Sequence, residues 1–191
     1  MDNYPLIFEI DTGGLCAGMQ VRDAGKQIVM HGSKMPDAVL EGKQPYRVVN
    51  TPEERLPICQ IQLQEVDEET HYTVTGPGGE MLGTVAPAGR GRWNILDANG
   101  VAVGQVRERN GWRHSFLFDL ISPSALESLL AAAFRMRYEV ELNGLRALQL
   151  RELDSEFKKH QAYRLKKFTD LSDRDELLLL AGLWTALWSV C

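Results

Sequence analysis

The sequence predicts a mainly β protein: a closed antiparallel barrel of about 12 strands around a hydrophobic C-terminal helix, plus one short helix. Three observations carry this prediction. Apolar and polar residues alternate with period two along much of the chain. Turn residues break that alternation at spacings of roughly ten positions, as in antiparallel strand arrays. The stretch from Ser172 to Cys191 is apolar in nearly every direction around a helix.

The alternation is clearest from Ile58 to Val66, where Cys59, Ile61 and Leu63 interleave with Gln60, Gln62 and Gln64, the pattern of a strand with one face inside. Tyr138, Val140 and Leu142 alternate up to Asn143-Gly144, and Leu145 opens another run. Asn-Gly between two such runs is a strong hairpin signal. Similar turn chemistry stands at Asp11-Thr12-Gly13-Gly14, Asp23-Ala24-Gly25, Gly76-Pro77-Gly78-Gly79, Asp97-Ala98-Asn99-Gly100 and Asn110-Gly111. Strands are therefore expected over about 4–121 and 137–168. The segments Tyr72 to Val85 and Asn94 to Val106 resemble one another as strand, turn ending in Gly, and an apolar pair before Gly83 or Gly104.

Two segments are helical. Ser122-Pro123 followed by Leu126, Leu129 and Leu130 at helical spacing predicts a short amphipathic helix over about 123–134. Ser172, with Asp175 three residues on, caps a second helix over about 173–191. Its core is Leu177, Leu178, Leu179, Leu180, Leu183, Trp184, Leu187 and Trp188, and only Gly182, Thr185 and Ser189 form a stripe of small residues. A helix apolar all round must be surrounded. The 15 residues from Leu177 to Cys191 reach about 22 Å, short of the roughly 30 Å of a bilayer's hydrocarbon core. A closed sheet of about a dozen strands can surround such a helix and at the same time remove exposed strand edges.

At 191 residues, 44% hydrophobic and 25% charged, the chain fits a single domain over 1–191 with a sizeable core. A net charge of −5 gives no global attraction to nucleic acid, so no nucleic-acid partner is expected, and any anion must be held by a local basic patch. Cys16, Cys59 and Cys191 are odd in number and far apart, which suits neither a disulfide framework nor a metal cluster and points to a reducing compartment. Met1 to Pro5 does not read as a secretory signal. The expected location is cytoplasmic, with peripheral membrane association as its variant.

The segment Tyr163-Arg164-Leu165-Lys166-Lys167-Phe168, a short acidic turn and Asp173-Arg174-Asp175-Glu176-Leu177-Leu178-Leu179-Leu180-Ala181 together resemble the end of the tubby C-terminal-like superfamily, in its LURP-one-related and phospholipid scramblase branch. Val21 to Val29 and Ile95 to Val101 are similar to that family's repeated strand, Asp, Gly, strand units. The resemblance implies a barrel threaded by its last helix and a role in lipid binding, membrane association or regulation, without a defined reaction or a cofactor.

Asp11-Thr12-Gly13 after Leu6 to Ile10 matches the catalytic turn of aspartic proteases, which need two such carboxylates. With no second copy of the motif, only a homodimer could use it, and a plain hairpin turn is the simpler reading. Gly76-Pro77-Gly78-Gly79 lacks the Lys-Ser/Thr and following helix of a phosphate loop. His31, His71, His114 and His160 show no ligand spacing, and no Gly-x-Ser-x-Gly elbow is present. No catalytic or metal residues are assigned.

The remaining polar feature is basic. Lys158, Lys159, Arg164, Lys166 and Lys167 lie within ten residues of one another, with His160 among them. They form the candidate site for an anionic phospholipid or phosphorylated ligand, since such clusters bind anionic surfaces. The competing readings are lysines guarding a solvated edge strand and a protein-interaction module with no lipid role. Strand alternation puts Arg164 and Lys166 outward and Tyr163, Leu165 and Lys167 on the opposite face.

Overall fold

The computed structural model describes residues 4–11, 18–34, 46–49, 57–66, 69–109, 137–153 and 160–188. They form strands β1 (Leu6–Asp11), β2 (Gly18–Arg22), β3 (Ile28–Lys34), β4 (Tyr46–Val49), β5 (Cys59–Val66), β6 (Glu69–Thr75), β7 (Met81–Pro87), β8 (Arg92–Asp97), β9 (Ala102–Arg109), β10 (Arg137–Leu142), β11 (Leu145–Glu152) and β12 (His160–Lys167), followed by helix α1 (Asp173–Trp188). Each strand pairs with its sequence neighbours, and β1 closes the ring against β12 in a register running from Leu6 opposite Leu165 to Asp11 opposite His160. The result is the closed twelve-strand antiparallel barrel that the alternation predicts. The short helix expected at 123–134, and Thr12-Gly13 of the protease-like turn, lie outside the described residues.

Because direction alternates, the β2–β3, β6–β7, β8–β9 and β10–β11 hairpins share one end of the barrel with the start of β1 and the run from β12 into α1. Three of these hairpins use one turn. In Asp23 to Gln27, Gly76 to Glu80 and Asp97 to Val101, the first residue's N–H donates to the fifth residue's carbonyl at 2.8–2.9 Å and the fourth residue's N–H donates to the first residue's carbonyl at 2.9–3.0 Å. The fourth residue is left-handed each time: Lys26 (φ 65), Gly79 (φ 81) and Gly100 (φ 79). This is the three-residue loop in which a type I turn is followed by a left-handed residue. Gly25, which looks like the turn glycine in the sequence, stands one position too early.

The likeness between the segments at Tyr72 and Asn94 extends to their pairing. Both hairpins carry a register shift just before the turn, at Val74/Thr75 and at Ile95/Leu96. Gly83 and Gly104 then let a neighbouring carbonyl come close, since a Cβ on either would stand 2.2 Å from the Leu96 oxygen or 2.5 Å from the Glu141 oxygen.

Inward side chains from the strands, among them Phe8, Ile10, Met19, Val21, Met30, Ile61, Val85, Ile95, Val106, Tyr138, Leu150 and Leu165, are buried at 0–1% exposure. Their common partner is α1, which packs against β5 through β10 while Trp184 meets Phe8 of β1 edge-on, ring centroids 6.1 Å apart. Every residue from Leu178 to Leu187 is buried, including Gly182 and Thr185, and Leu177 is half-buried. Gly182 faces Ile95 and Val106, where a Cβ would come within 3.0 and 3.3 Å of their side chains, so this glycine lets the helix approach β8 and β9 closely. The start of α1 is capped as the sequence indicates: Asp175 N–H donates to Ser172 Oγ at 3.1 Å, and Ser172 Oγ donates to Asp175 Oδ2 at 2.6 Å.

Among the described residues no helix is long and apolar enough to cross a membrane. The barrel wall itself is apolar inside and carries Gln60, Gln62, Gln64, Arg151, Arg164 and Lys166 outside, the reverse of a membrane barrel, whose apolar residues face lipid.

Candidate anion-binding site

Strand β12 sorts its side chains by parity. Tyr163 and Leu165 are buried at 1% and 0%, while Arg164 and Lys166 are exposed. Lys167 takes the inward parity: its side chain is 18% exposed and its Nζ lies 2.7 Å from Glu176 Oε2. Of the five basic residues singled out from the sequence, Arg164 and Lys166 therefore share the outer wall, Lys167 is engaged within the barrel, and Lys158 and Lys159 lie outside the described residues. β12 is not an edge strand, since it pairs with β1 on one side and β11 on the other, so its cations do not serve to block edge pairing.

The register brings a residue that the local pattern does not reveal. Arg151 of β11 stands opposite Arg164, and Gln149 opposite Lys166. These four side chains, with Glu152 and Leu153, line an open depression of about 250 Å³ on the outer wall. Three cations face one carboxylate there, and among the described residues no ion pair or hydrogen bond engages the Arg151, Arg164 or Lys166 side chains. Like charges placed directly opposite across strands are destabilising, so folding gains nothing from Arg151 beside Arg164. Paired guanidinium forks with an ammonium nearby match the oxygens of a phosphate or carboxylate. Period-two alternation in β11, with Leu148 and Leu150 inward, is the signal that places Arg151 outward.

The depression's surroundings are also basic. On β10, Arg137 is directly opposite Arg151 and contacts Glu139 at 3.2 Å. The Gln149 amide oxygen, turned toward Arg137, accepts from its Nε at 3.0 Å. Arg109 of β9 reaches the same Glu139 carboxylate at 3.0 Å.

The interior groups that could titrate are tied into the fold. Glu176 is 2% exposed and accepts from Tyr4 Oη at 2.9 Å as well as from Lys167. Burial first, then the Glu176 charge and hydrogen bond, hold the Tyr4 hydroxyl far above its ordinary range. Burial pushes the Cys59 thiol up to about 12, which keeps it in the unreactive thiol form. Asp11 closes β1 opposite both His160 and Gly18.

No protein-family model matches the chain, and neither a curated protein nor a solved structure is similar to it.

Proposed function

We propose that the protein is a non-catalytic, tubby-like or scramblase-like barrel that binds a phosphorylated anion on the outer wall of β11 and β12. The ligand is either the head group of an anionic lipid at a membrane surface or a soluble phosphate ester, since both present the same oxygens. The observation that carries this reading is the depression that Arg151, Arg164 and Lys166 line with Glu152 as its one carboxylate among the described residues. The threaded barrel is also the architecture implied by the resemblance of the segment from Tyr163 to Ala181.

The test compares phosphatidic acid vesicles, phosphatidylcholine vesicles and soluble glycerol phosphate, each against the full chain and against the Arg151→Gln/Arg164→Gln/Lys166→Gln variant. Wild type should bind at least one phosphorylated ligand and ignore phosphatidylcholine, and the variant should lose that binding while melting as wild type does. Raising salt past 0.1 M should weaken wild-type binding, because exposed charges are then screened within about 10 Å. Equal binding by the variant, or no binding to either phosphorylated ligand at low salt, overturns the reading.

A further inference from the structure

The depression is one station in a longer line of cations. Reading across the strands from register to register, Arg109 on β9 faces Arg137 on β10, Arg137 faces Arg151 on β11, and Arg151 faces Arg164 on β12. Arg164 then faces Ile7 on β1, and Ile7 faces Arg22 on β2. All five arginines have outward parity, because Tyr138, Leu150, Tyr163 and Val21 next to four of them, and Val106 three positions before Arg109, are buried at 0–1%. Four arginines thus stand opposite one another on four successive strands whose backbones lie about 4.8 Å apart, with a fifth two strands further on.

Acidic neighbours answer this line only in part. A single carboxylate, Glu139, contacts both Arg109 and Arg137. Glu9 pairs with Arg22 at 2.9 Å. Among the described residues no carboxylate pairs with Arg151 or Arg164, and Lys166 adds a charge beside them.

The shape of the line distinguishes among anions. It crosses the strands of a closed twelve-strand ring, so each step turns the outward direction by about 30° and the run from Arg109 to Arg22 turns it by about 150°. A flat bilayer can meet only two or three adjacent stations of such a curve. A flexible chain can follow all of them. Among the described residues, the side chains around the depression are Gln149, Glu152, Leu153 and Lys166, none of them the aromatic platform on which unpaired bases stack, and exposed Phe168 is covered by Arg146, 4.2 Å from its ring centroid.

We infer that the site takes a linear chain of phosphate groups, of the inorganic polyphosphate type, laid across β9 to β12 and toward β2. The inference rests on the anion-binding reading above and specifies its ligand. Two consequences separate it from that reading. Affinity should rise steeply with chain length, and Arg109 and Arg137, which lie outside the depression, should matter for long chains alone.

The experiment measures binding of orthophosphate, tripolyphosphate, long-chain polyphosphate and oligodeoxythymidylate to the full chain by calorimetry, at two salt concentrations. It is repeated with Arg109→Gln/Arg137→Gln/Glu139→Gln, which removes the outer stations without stranding Glu139, and with Arg151→Gln/Arg164→Gln. The expected result is long-chain binding at least about 10-fold tighter than tripolyphosphate per mole of phosphate, with the steeper salt dependence that follows from releasing more counterions. The outer-station variant should weaken the long chain about 10-fold and leave tripolyphosphate within about 2-fold, whereas the depression variant should weaken both. If tripolyphosphate or phosphatidic acid vesicles bind and chain length adds nothing, the depression stands as an anion site and the chain inference fails. Oligodeoxythymidylate binding as tightly as polyphosphate of equal charge, or an outer-station variant that binds long chains like wild type, overturns it too. Absence of binding to every phosphorylated species removes both readings.

Discussion

Lys26 and Gly100 hold the same backbone position in two turns with the same hydrogen bonds, at φ 65 and φ 79. In both turns the opening aspartate folds back: Asp23 Oδ1 accepts from Gln27 N–H and Asp97 Oδ1 from Val101 N–H, each at 2.9 Å. Glycine adopts this conformation freely, whereas a lysine pays a steric cost of about 1 kcal/mol against its Cβ. Lys26→Gly should therefore raise the melting temperature, by about 1–3 °C for a domain of this size, and Gly100→Lys should lower it by a similar amount. Equal melting temperatures for Lys26→Gly and wild type in a calorimetric scan would contradict the turn assignment.

Gly32 on the wall lies directly against Trp184 of the helix. A Cβ at Gly32 would stand 2.0 Å from Trp184 Cζ2, and on another side the indole meets the Phe8 ring. Gly32→Ala should cost about 1–3 kcal/mol through overpacking, read as a lower urea midpoint with an unchanged slope. Trp184→Leu should also destabilise alone. In the Gly32→Ala background it should cost less than it does alone, because the clash it relieves offsets part of the lost packing. Additive effects of the two substitutions would show that the helix does not press on β3.

Neighbouring lysines on β12 should behave as opposites. Lys166→Gln touches an outward side chain and should change stability by less than about 0.5 kcal/mol. Lys167→Gln leaves the carboxylate of Glu176, 2% exposed, without its cation and should cost about 3–5 kcal/mol. Converting Glu176 to Gln in the same chain should recover part of that loss. Chemical denaturation of the three variants decides the matter, and similar losses for Lys166→Gln and Lys167→Gln would reverse the facing of β12.

Alkaline pH should unfold the protein earlier than its charge alone implies. Burial raises the Cys59 thiol from 9.0 to about 12, and it also raises the hydroxyls of Tyr72 and Tyr4. The unfolded chain therefore releases these protons first. Their stabilising effect is complete below about pH 9 and is lost as pH rises through the folded values, with a slope of up to about 1.4 kcal/mol per pH unit per group. Cys59→Ala should flatten the first part of that decline, between about pH 9 and 10, and urea titrations at stepped pH would show it. An unaltered slope in Cys59→Ala would mean that the thiol is not desolvated.

Much of this architecture could be read from local pattern because the relevant physics is local. Alternation in Ile58 to Val66 marks an inside and an outside without any partner strand, and a helix with leucine or tryptophan on every side must lie within something. Long-range pairing was harder to read. Nothing near Arg151 announces that closure sets it opposite Arg164, because that contact depends on the summed registers of the hairpins. Glu176 resembled one more acidic residue of a helix's first turn, alongside Asp173 and Asp175; its burial follows from where Tyr4 and Lys167 arrive. At Asp23-Ala24-Gly25 composition places the turn, but it does not say that Lys26 is the position that takes the left-handed conformation.

The closing seam has a consequence for the order of events during synthesis. Leu6 finds its partner Leu165 only 159 positions later, and the helix that fills the lumen follows every strand. Until then β1 has an open hydrogen-bonding edge, and the inward faces of all twelve strands lack the element that covers them. Long-range β pairing is slow, and exposed edges and apolar surface invite association in the meantime. A growing chain therefore presents that edge and those apolar faces until β12 and α1 have emerged. A chain interrupted before Ser172 would carry the inward faces of its strands without the helix that fills the space between them.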